Sequence, residues 1–69
     1  MAATSDVDVA LEQAVSRLSR RQREAVGLHY YAGLSVAETA AVMRCSAGTV
    51  KSTLSDARAR LRDLLQEDE

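Results

Sequence analysis

The chain has 69 residues, with nine Lys and Arg against ten Asp and Glu, a single Cys, and no Pro, Trp or Phe. A chain of this length buries only about 60% of its unfolded surface, which is too little for both a core and a deep catalytic cleft. We therefore expect one domain, residues 1–69, that presents a binding surface and is not an enzyme.

The composition indicates an all-α fold, because 12 Ala, 8 Leu and 7 Val supply most of the apolar residues and Ala and Leu favour helices. Cys45 has no second cysteine with which to form an internal disulfide. The acidic start lacks the basic region of a signal peptide, and no apolar run approaches the roughly 20 residues of a membrane span. We expect a cytoplasmic protein with no membrane contact, no cofactor and no metal site.

Charge is unevenly distributed along the chain. Nine basic and three acidic residues lie between positions 17 and 62, and the other seven acids lie outside that range. This basic segment could bind an anionic partner or form a solvated face, and charge alone does not decide between the two.

Apolar residues at three- and four-residue steps predict two helices in the first half of the chain. The first, at about 7–18, has a stripe formed by Val7, Ala10, Leu11, Ala14, Val15 and Leu18. Ser19 is expected to cap the second, at about 20–32, with Ala25, Leu28 and one of the two tyrosines facing the core.

Two glycines bear on the second helix. Gly33 suits the left-handed residue that closes a helix, with Leu34 folding back for an apolar contact. Gly27 lies inside the helix, where it predicts either close packing against a neighbour or a weak point.

A third helix is predicted at about 36–44. Ser35 and Glu38 have the spacing of a capping box, in which each side chain bonds the other residue's backbone amide. Thr39 falls on the buried side, and we expect its hydroxyl to bond the carbonyl of Ser35.

The last helix, at about 47–66, should be the longest. Ser46 is its expected cap, and its apolar stripe contains Val50, Leu54, Ala57, Leu61, Leu64 and Leu65. The predicted fold is thus an all-α, four-helix domain.

The third and fourth helices, with a short turn between them, form a helix-turn-helix at the C-terminal end. Small and polar residues lie on the outer side of the last helix: Ala47, Gly48, Lys51, Ser52 and Ser55. They permit close approach and offer donors to bases and phosphates, and the helix starts at Ser35 and Ser46 offer amides to phosphates. Many helical hairpins bind no DNA, so this pattern alone leaves a purely structural hairpin open.

Several sequence runs resemble region 4 of bacterial sigma factors, most closely the extracytoplasmic-function (ECF) group. They are Leu18-Ser19-Arg20-Arg21-Gln22-Arg23-Glu24, Ala32-Gly33-Leu34-Ser35, Glu38-Thr39-Ala40, Cys45-Ser46-Ala47-Gly48-Thr49-Val50-Lys51-Ser52 and Ala57-Arg58-Ala59-Arg60-Leu61. The resemblance covers about residues 7–65.

This resemblance implies recognition of the promoter minus-35 element and docking on the flap of the RNA polymerase beta subunit, by a monomer. It places Lys51, Ser52 and Ser55 toward bases, and Ser35, Val36 and Arg44 toward the DNA backbone. The start of the recognition helix, Ser46, Ala47, Gly48 and Thr49, completes the predicted DNA-binding set.

A second surface is implied for the flap or for an anti-sigma factor. Its predicted residues are Val15, Leu18, Leu61, Leu64 and Leu65, each of which also fits a core position.

The chain departs from the family pattern at three positions of the last helix. Thr53, Ser55 and Asp56 stand where family members usually place Arg and then basic or aromatic residues. Because an acid repels phosphate, we expect weak DNA binding by the isolated domain. Asp56 is instead expected to pair with Arg60, four residues on.

Two other functions fit the same elements. A LuxR-type regulator shares the Arg-Glu, Gly-Leu-Ser and Thr-Val-Lys elements at similar spacing. A protein-interaction module of this fold that no longer reads DNA would suit Asp56 and the acidic chain ends.

Overall fold

A computed structural model describes residues 6–66, with side chains from residue 9 onward. Its helices are α1 (Asp6–Ser16), α2 (Arg20–Val26), α3 (Val36–Met43) and α4 (Ala47–Gln66), and α2 continues as a π-helical segment, Gly27–Tyr31. Residues 6–66 contain no strand, so the all-α, four-helix prediction is confirmed. The ends of the predicted domain, 1–5 and 67–69, and the side chain of Val7 lie outside the described residues.

The core forms around α4, which packs against α1, α2 and α3. The buried residues of this helix are Val50, Leu54, Ala57 and Leu64. They confirm most of the predicted stripe, although Leu61 is half-buried and Leu65 is 38% exposed. Burying each Val or Leu side chain contributes about 1.5–3 kcal/mol, so this face of α4 supplies much of the stability.

Serine caps begin α2 and α3. The Ser19 hydroxyl accepts from the Gln22 amide at 3.2 Å, and the Gln22 side chain accepts from the Ser19 amide at 3.1 Å. Ser35 and Glu38 make the same two bonds at 3.0 and 2.8 Å. The predicted Ser19 cap and Ser35–Glu38 capping box are both confirmed.

The π-helical segment is the main departure from the predicted second helix. The Ala32 amide donates to the Gly27 carbonyl, five residues back, at 2.9 Å. Closing the helix, Gly33 adopts the predicted left-handed conformation with φ 77°, and the Leu34 amide folds back to the Leu28 carbonyl at 3.0 Å.

The tyrosines lie on the surface, and the expectation that one of them enters the core is wrong. Tyr30 is 51% and Tyr31 62% exposed. Gly27 has no neighbour within 4 Å of where a Cβ would stand, so the close packing considered there is also wrong.

His29 has a structural role at the same helix end. Its ring is half-buried, and Nδ1 lies 2.7 Å from the Leu34 carbonyl oxygen. Since the carbonyl can only accept, Nδ1 carries the proton in this contact.

Thr39 is fully buried, with 0% exposure, but its hydroxyl has no hydrogen-bond partner. The predicted bond to the Ser35 carbonyl is therefore wrong. That carbonyl instead accepts from the Thr39 backbone amide at 2.8 Å, as in any helix. An unpaired buried hydroxyl costs about 1–3 kcal/mol.

The end of α3 has a left-handed residue that is not glycine. Arg44 has φ 58° and ψ 48°. Its amide donates to the Ala41 carbonyl at 3.3 Å, and the Cys45 amide donates to the Ala40 carbonyl at 3.0 Å. These two bonds form a Schellman motif, whose left-handed position usually belongs to glycine.

None of the helices within residues 6–66 is both long enough and apolar enough to cross a membrane.

Replacing Arg44 by Gly should raise the free energy of unfolding by about 0.5–1 kcal/mol, because glycine adopts φ > 0 without a steric penalty. Urea denaturation followed by circular dichroism measures the change. Ala37→Gly, at an exposed helical position of α3, is the control and should lower stability by about 1 kcal/mol. A loss of stability in Arg44→Gly would contradict the assignment of the left-handed cap.

The capping box of α3 should make stability depend on pH. The Ser35 backbone amide, which donates to the Glu38 carboxylate, and a smaller contribution from the Ser35 side chain lower the pKa of Glu38. When folding lowers the pKa of a carboxyl group, the ionised group stabilises the fold at any pH above its pKa in the unfolded chain, about 4.3. This stabilisation is lost as the pH falls through the pKa of the folded state. Glu38→Gln should therefore melt at a lower temperature than the unaltered chain at pH 7, and the difference should shrink by pH 3.

The complementary variant is Gln22→Glu, which places a carboxylate in the Ser19–Gln22 capping box. It should raise the melting temperature relative to the unaltered chain at pH 7, and this gain should shrink by pH 3. Melting curves at pH 7 and pH 3 test both changes. A Glu38→Gln difference that is equally large at both pH values would show that the charge of the carboxylate has no part in it.

Candidate nucleic-acid interface

The turn between α3 and α4 consists of residues 44–46. Cys45 is half-buried and packs against the core. Arg44 on one side of it and Ser46 on the other are exposed. The polar side chains of the turn thus point to solvent, and the Cys45 side chain attaches the turn to the core.

Ser46 begins α4 as predicted. Its hydroxyl accepts from the Thr49 amide at 3.0 Å and lies 3.0 Å from the Thr49 hydroxyl. The Val50 amide donates to the Ser46 carbonyl at 3.1 Å. The first-turn amides of Ala47 and Gly48 then point out of the helix end, where an anion can accept from them.

The outer face of α4 has the composition and exposure that the sequence predicts. Its exposed residues are Ala47, Gly48, Thr49, Lys51, Ser52 and Ser55. On the opposite face, Val50 and Ala57 are 0% exposed. The helix therefore presents an amine, hydroxyls and small side chains to solvent along about its first two and a half turns.

The hydroxyls of this face are already partly engaged. The Ser52 hydroxyl donates to the Thr49 carbonyl at 3.0 Å, which leaves its oxygen able to accept. In the α3 cap, Ser35 uses its hydroxyl oxygen and its amide within the capping box. An incoming phosphate would therefore bind Ser35 less readily than the amides that follow it.

Val36 and Asp56, two further positions considered in the sequence, differ in exposure. The Val36 side chain is partly buried and packs against the core, so its amide is the group available to DNA. Asp56 and Arg60 are exposed and do not form the predicted ion pair, since Arg21–Glu24 is the ion pair found among the described residues. Asp56 follows Ser52 by one turn and lies on the flank of α4 away from Lys51.

Three arginine contacts that the sequence pattern does not predict join different helices. The Arg58 guanidinium donates to the Tyr30 hydroxyl at 2.7 Å, which ties α4 to the π-helical segment. Arg21 donates to the Met43 carbonyl at 3.4 Å and Arg23 to the Ser16 carbonyl at 3.2 Å. These partners are 28, 22 and 7 residues apart, so helical periodicity could not have indicated them.

The predicted protein-partner residues divide between core and surface. Leu18 and Leu64 are buried, at 4% and 3% exposure, and offer no surface in this structure. Val15 and Leu61 are half-buried, and Leu65 is 38% exposed.

An apolar groove passes between α1, α2 and α4, with a volume of about 290 Å³. Its lining residues are Leu11, Val15, Val26, Tyr30, Tyr31 and Leu61. Of these, Leu11, Val26 and both tyrosines were not among the predicted partner residues. Both tyrosines belong to the π-helical segment, which has no clear signal in the sequence.

A metal centre has no support in the described part of the chain, where no three His, Cys, Asp or Glu side chains are grouped to hold an ion.

Comparison with known proteins identifies the family. The profile described as "Sigma-70, region 4" matches residues 8–61. The chain is 48% identical to the RNA polymerase sigma-E factor of Streptomyces antibioticus, over 81% of this chain and 31% of that protein. It is 44% identical to the RNA polymerase sigma-E factor of Streptomyces coelicolor, over 88% and 40%.

The chain is also 44% identical to the ECF RNA polymerase sigma factor SigM of Mycobacterium tuberculosis, over 83% of this chain and 29% of that protein. The chain thus spans between 29% and 40% of the length of these three relatives. No solved structure matches it. The profile covers more than half of the chain, and the chain belongs to the sigma-70 region 4 family, as a domain of the ECF type.

Proposed function

We propose that this domain binds promoter DNA through the helix-turn-helix α3–α4, reading the minus-35 element, as region 4 of an alternative sigma factor in the cytoplasm. The observation that carries the proposal is the outer face of α4, where the exposed Gly48 and Ser52 lie opposite the buried Val50 and the exposed Ala47 and Lys51 flank them. A helix that reads the major groove has small side chains on the face that enters the groove, together with hydrogen-bond donors for bases and phosphates.

Gly48 supports close approach to DNA. A Cβ at this position would meet only the Ser46 hydroxyl oxygen, at 3.8 Å, an ordinary contact. The fold itself therefore does not require glycine here. A small residue at an exposed position of the first turn is what a backbone or base edge packed against this helix would require.

Positive charge lies along one edge of this face. Lys51, Arg58 and Arg62 are exposed and follow one another at seven and then four residues, which places them along one side of α4. Arg60 lies about half a turn away from that side. Lys51 is the member of this row within the first two turns of α4, where the bases would lie.

Lys51→Gln should weaken DNA binding about fivefold and lower the slope of log K against log salt by about one, because one phosphate or base contact is lost. Fluorescence anisotropy of a labelled DNA duplex over a series of salt concentrations measures both quantities. Arg60→Gln is the matched control, since it removes the same charge from an exposed position of the same helix. It should change the affinity by less than about twofold.

Equal effects of Lys51→Gln and Arg60→Gln would show non-directional attraction and contradict this docking face. Absence of salt-dependent binding by the unaltered chain would favour the protein-interaction module. Dimer formation on DNA would favour a LuxR-type regulator.

We further propose that the apolar groove docks a protein partner, the beta-subunit flap or an anti-sigma factor. Val15 and Leu61 of the predicted partner set line this groove, and Leu65 is exposed nearby in sequence on the same helix as Leu61. Tyr31, 62% exposed, adds a large apolar surface of the kind that anchors protein interfaces. The groove is lined by the second half of α4, whereas the proposed DNA-facing residues lie in its first half. DNA and the partner protein could therefore bind at the same time.

Tyr31→Asp should abolish binding of a beta-flap fragment in isothermal titration calorimetry without unfolding the domain, because this side chain is mostly exposed. Val42→Asp, at a position 56% exposed on α3 and outside the groove, is the control and should bind normally. Circular dichroism verifies that both variants are folded. Undiminished binding by Tyr31→Asp would rule out the groove as the docking site.

A further inference from the structure

Two arginines in the first turn of α2 contact the C-terminal ends of two other helices. Arg21 Nη1 lies 3.4 Å from the Met43 carbonyl oxygen, and Arg23 Nη1 lies 3.2 Å from the Ser16 carbonyl oxygen. Met43 is the last residue of α3 and Ser16 the last of α1. Carbonyls at a helix C-terminus lack intrahelical donors and carry the negative end of the helix dipole, so a guanidinium stabilises both ends.

The Arg21 side chain is oriented by a neighbour on its own helix. The same Nη1 lies 3.5 Å from Glu24 Oε1, one turn further along α2, and the two side chains are 53% and 44% exposed. An ion pair this exposed contributes little to stability. The ion pair and the Met43 contact share Nη1, which places the guanidinium on the side of α2 that faces the end of α3.

The carbonyl that Arg21 binds lies at the start of the turn between α3 and α4. The next residue is Arg44, in the left-handed conformation, followed by Cys45 and the α4 cap Ser46. The turn is held by its Schellman motif, by the contact of Cys45 with the core and by the Ser46 cap. Release of the Met43 carbonyl would remove a further attachment at its start and allow the turn to shift. Such a shift would change the direction of the first turns of α4.

We propose that Arg21 is a positioning residue for the helix-turn-helix: it holds the turn 44–46 against α2 and thereby sets how α4 meets DNA, without contacting a phosphate itself. Arg23 has the equivalent contact with α1, which is remote from this turn. The effect on DNA rests on the DNA-binding function proposed above, whereas the effect on the turn can be measured without DNA.

The first test uses Cys45, the single cysteine of the chain, as a probe of the turn. Because its side chain is half-buried within the turn, its rate of reaction with a disulfide reagent under native conditions reports opening there. Arg21→Gln should increase this rate about fivefold, the equivalent of one lost hydrogen bond. Arg21→Lys, which retains a cation for the Met43 carbonyl, should restore most of the protection.

Two arginines of the same turn serve as controls. Arg20→Gln removes an exposed charge, and Arg23→Gln breaks the corresponding bond to α1; each should change the Cys45 rate by less than about twofold. Urea denaturation of all variants separates local opening from global unfolding. Equal acceleration in Arg21→Gln and Arg23→Gln, or none in Arg21→Gln, would overturn the proposal.

The second test measures DNA affinity over a series of salt concentrations. Arg21→Gln should weaken binding about threefold to fivefold while the salt slope stays unchanged, because no phosphate contact is lost. A slope reduced by about one would show that Arg21 contacts phosphate directly and would overturn the positioning role. Failure of the unaltered chain to bind DNA would contradict the proposed function alone, and the Cys45 rates would still decide the role of Arg21 in the turn.

Discussion

Burial of one face of α4 organises the whole domain, because this helix packs against each of the other three. Val50 and Ala57 have no exposed surface, and Leu54 has only 3%. In a helix with 3.6 residues per turn, fixing that face toward the core also fixes which residues face solvent. The burial that stabilises the fold therefore also exposes Lys51 and Ser55. Core packing alone sets the rotation of α4 about its axis, and with it the direction of the proposed DNA-facing surface.

The direction of α4 depends on the turn that precedes it. Arg44 is held left-handed where glycine would be more stable, Ser46 caps the helix, and Arg21 contacts the last carbonyl of α3. Strained positions persist when a function or the surrounding structure requires them. An exposed arginine at the strained position places a positive charge beside the start of α4, where the family resemblance expects a phosphate.

Local signals in the sequence predicted most of the fold and the outer face of α4. Serine caps and apolar periodicity depend on residues three or four apart, so they can be read from one chain. The π-helical segment breaks that periodicity, and Tyr30 and Tyr31, which belong to it, lie on the surface. The contact between Arg58 and Tyr30 joins residues 28 positions apart, and such tertiary contacts leave no periodic pattern. The apolar groove was consequently predicted only in part, through Val15 and Leu61.

The most direct test of DNA docking through α4 is an NMR titration of the ¹⁵N-labelled chain with a DNA duplex, following each backbone amide. The proposed function predicts the largest shifts at the start of α3, in the turn 44–46 and along α4 as far as Ser55. Amides of α1 and those beside the groove should change little. Shifts that concentrate around Val15, Tyr31 and Leu61 instead, or that are absent, would contradict a DNA-reading role for this face.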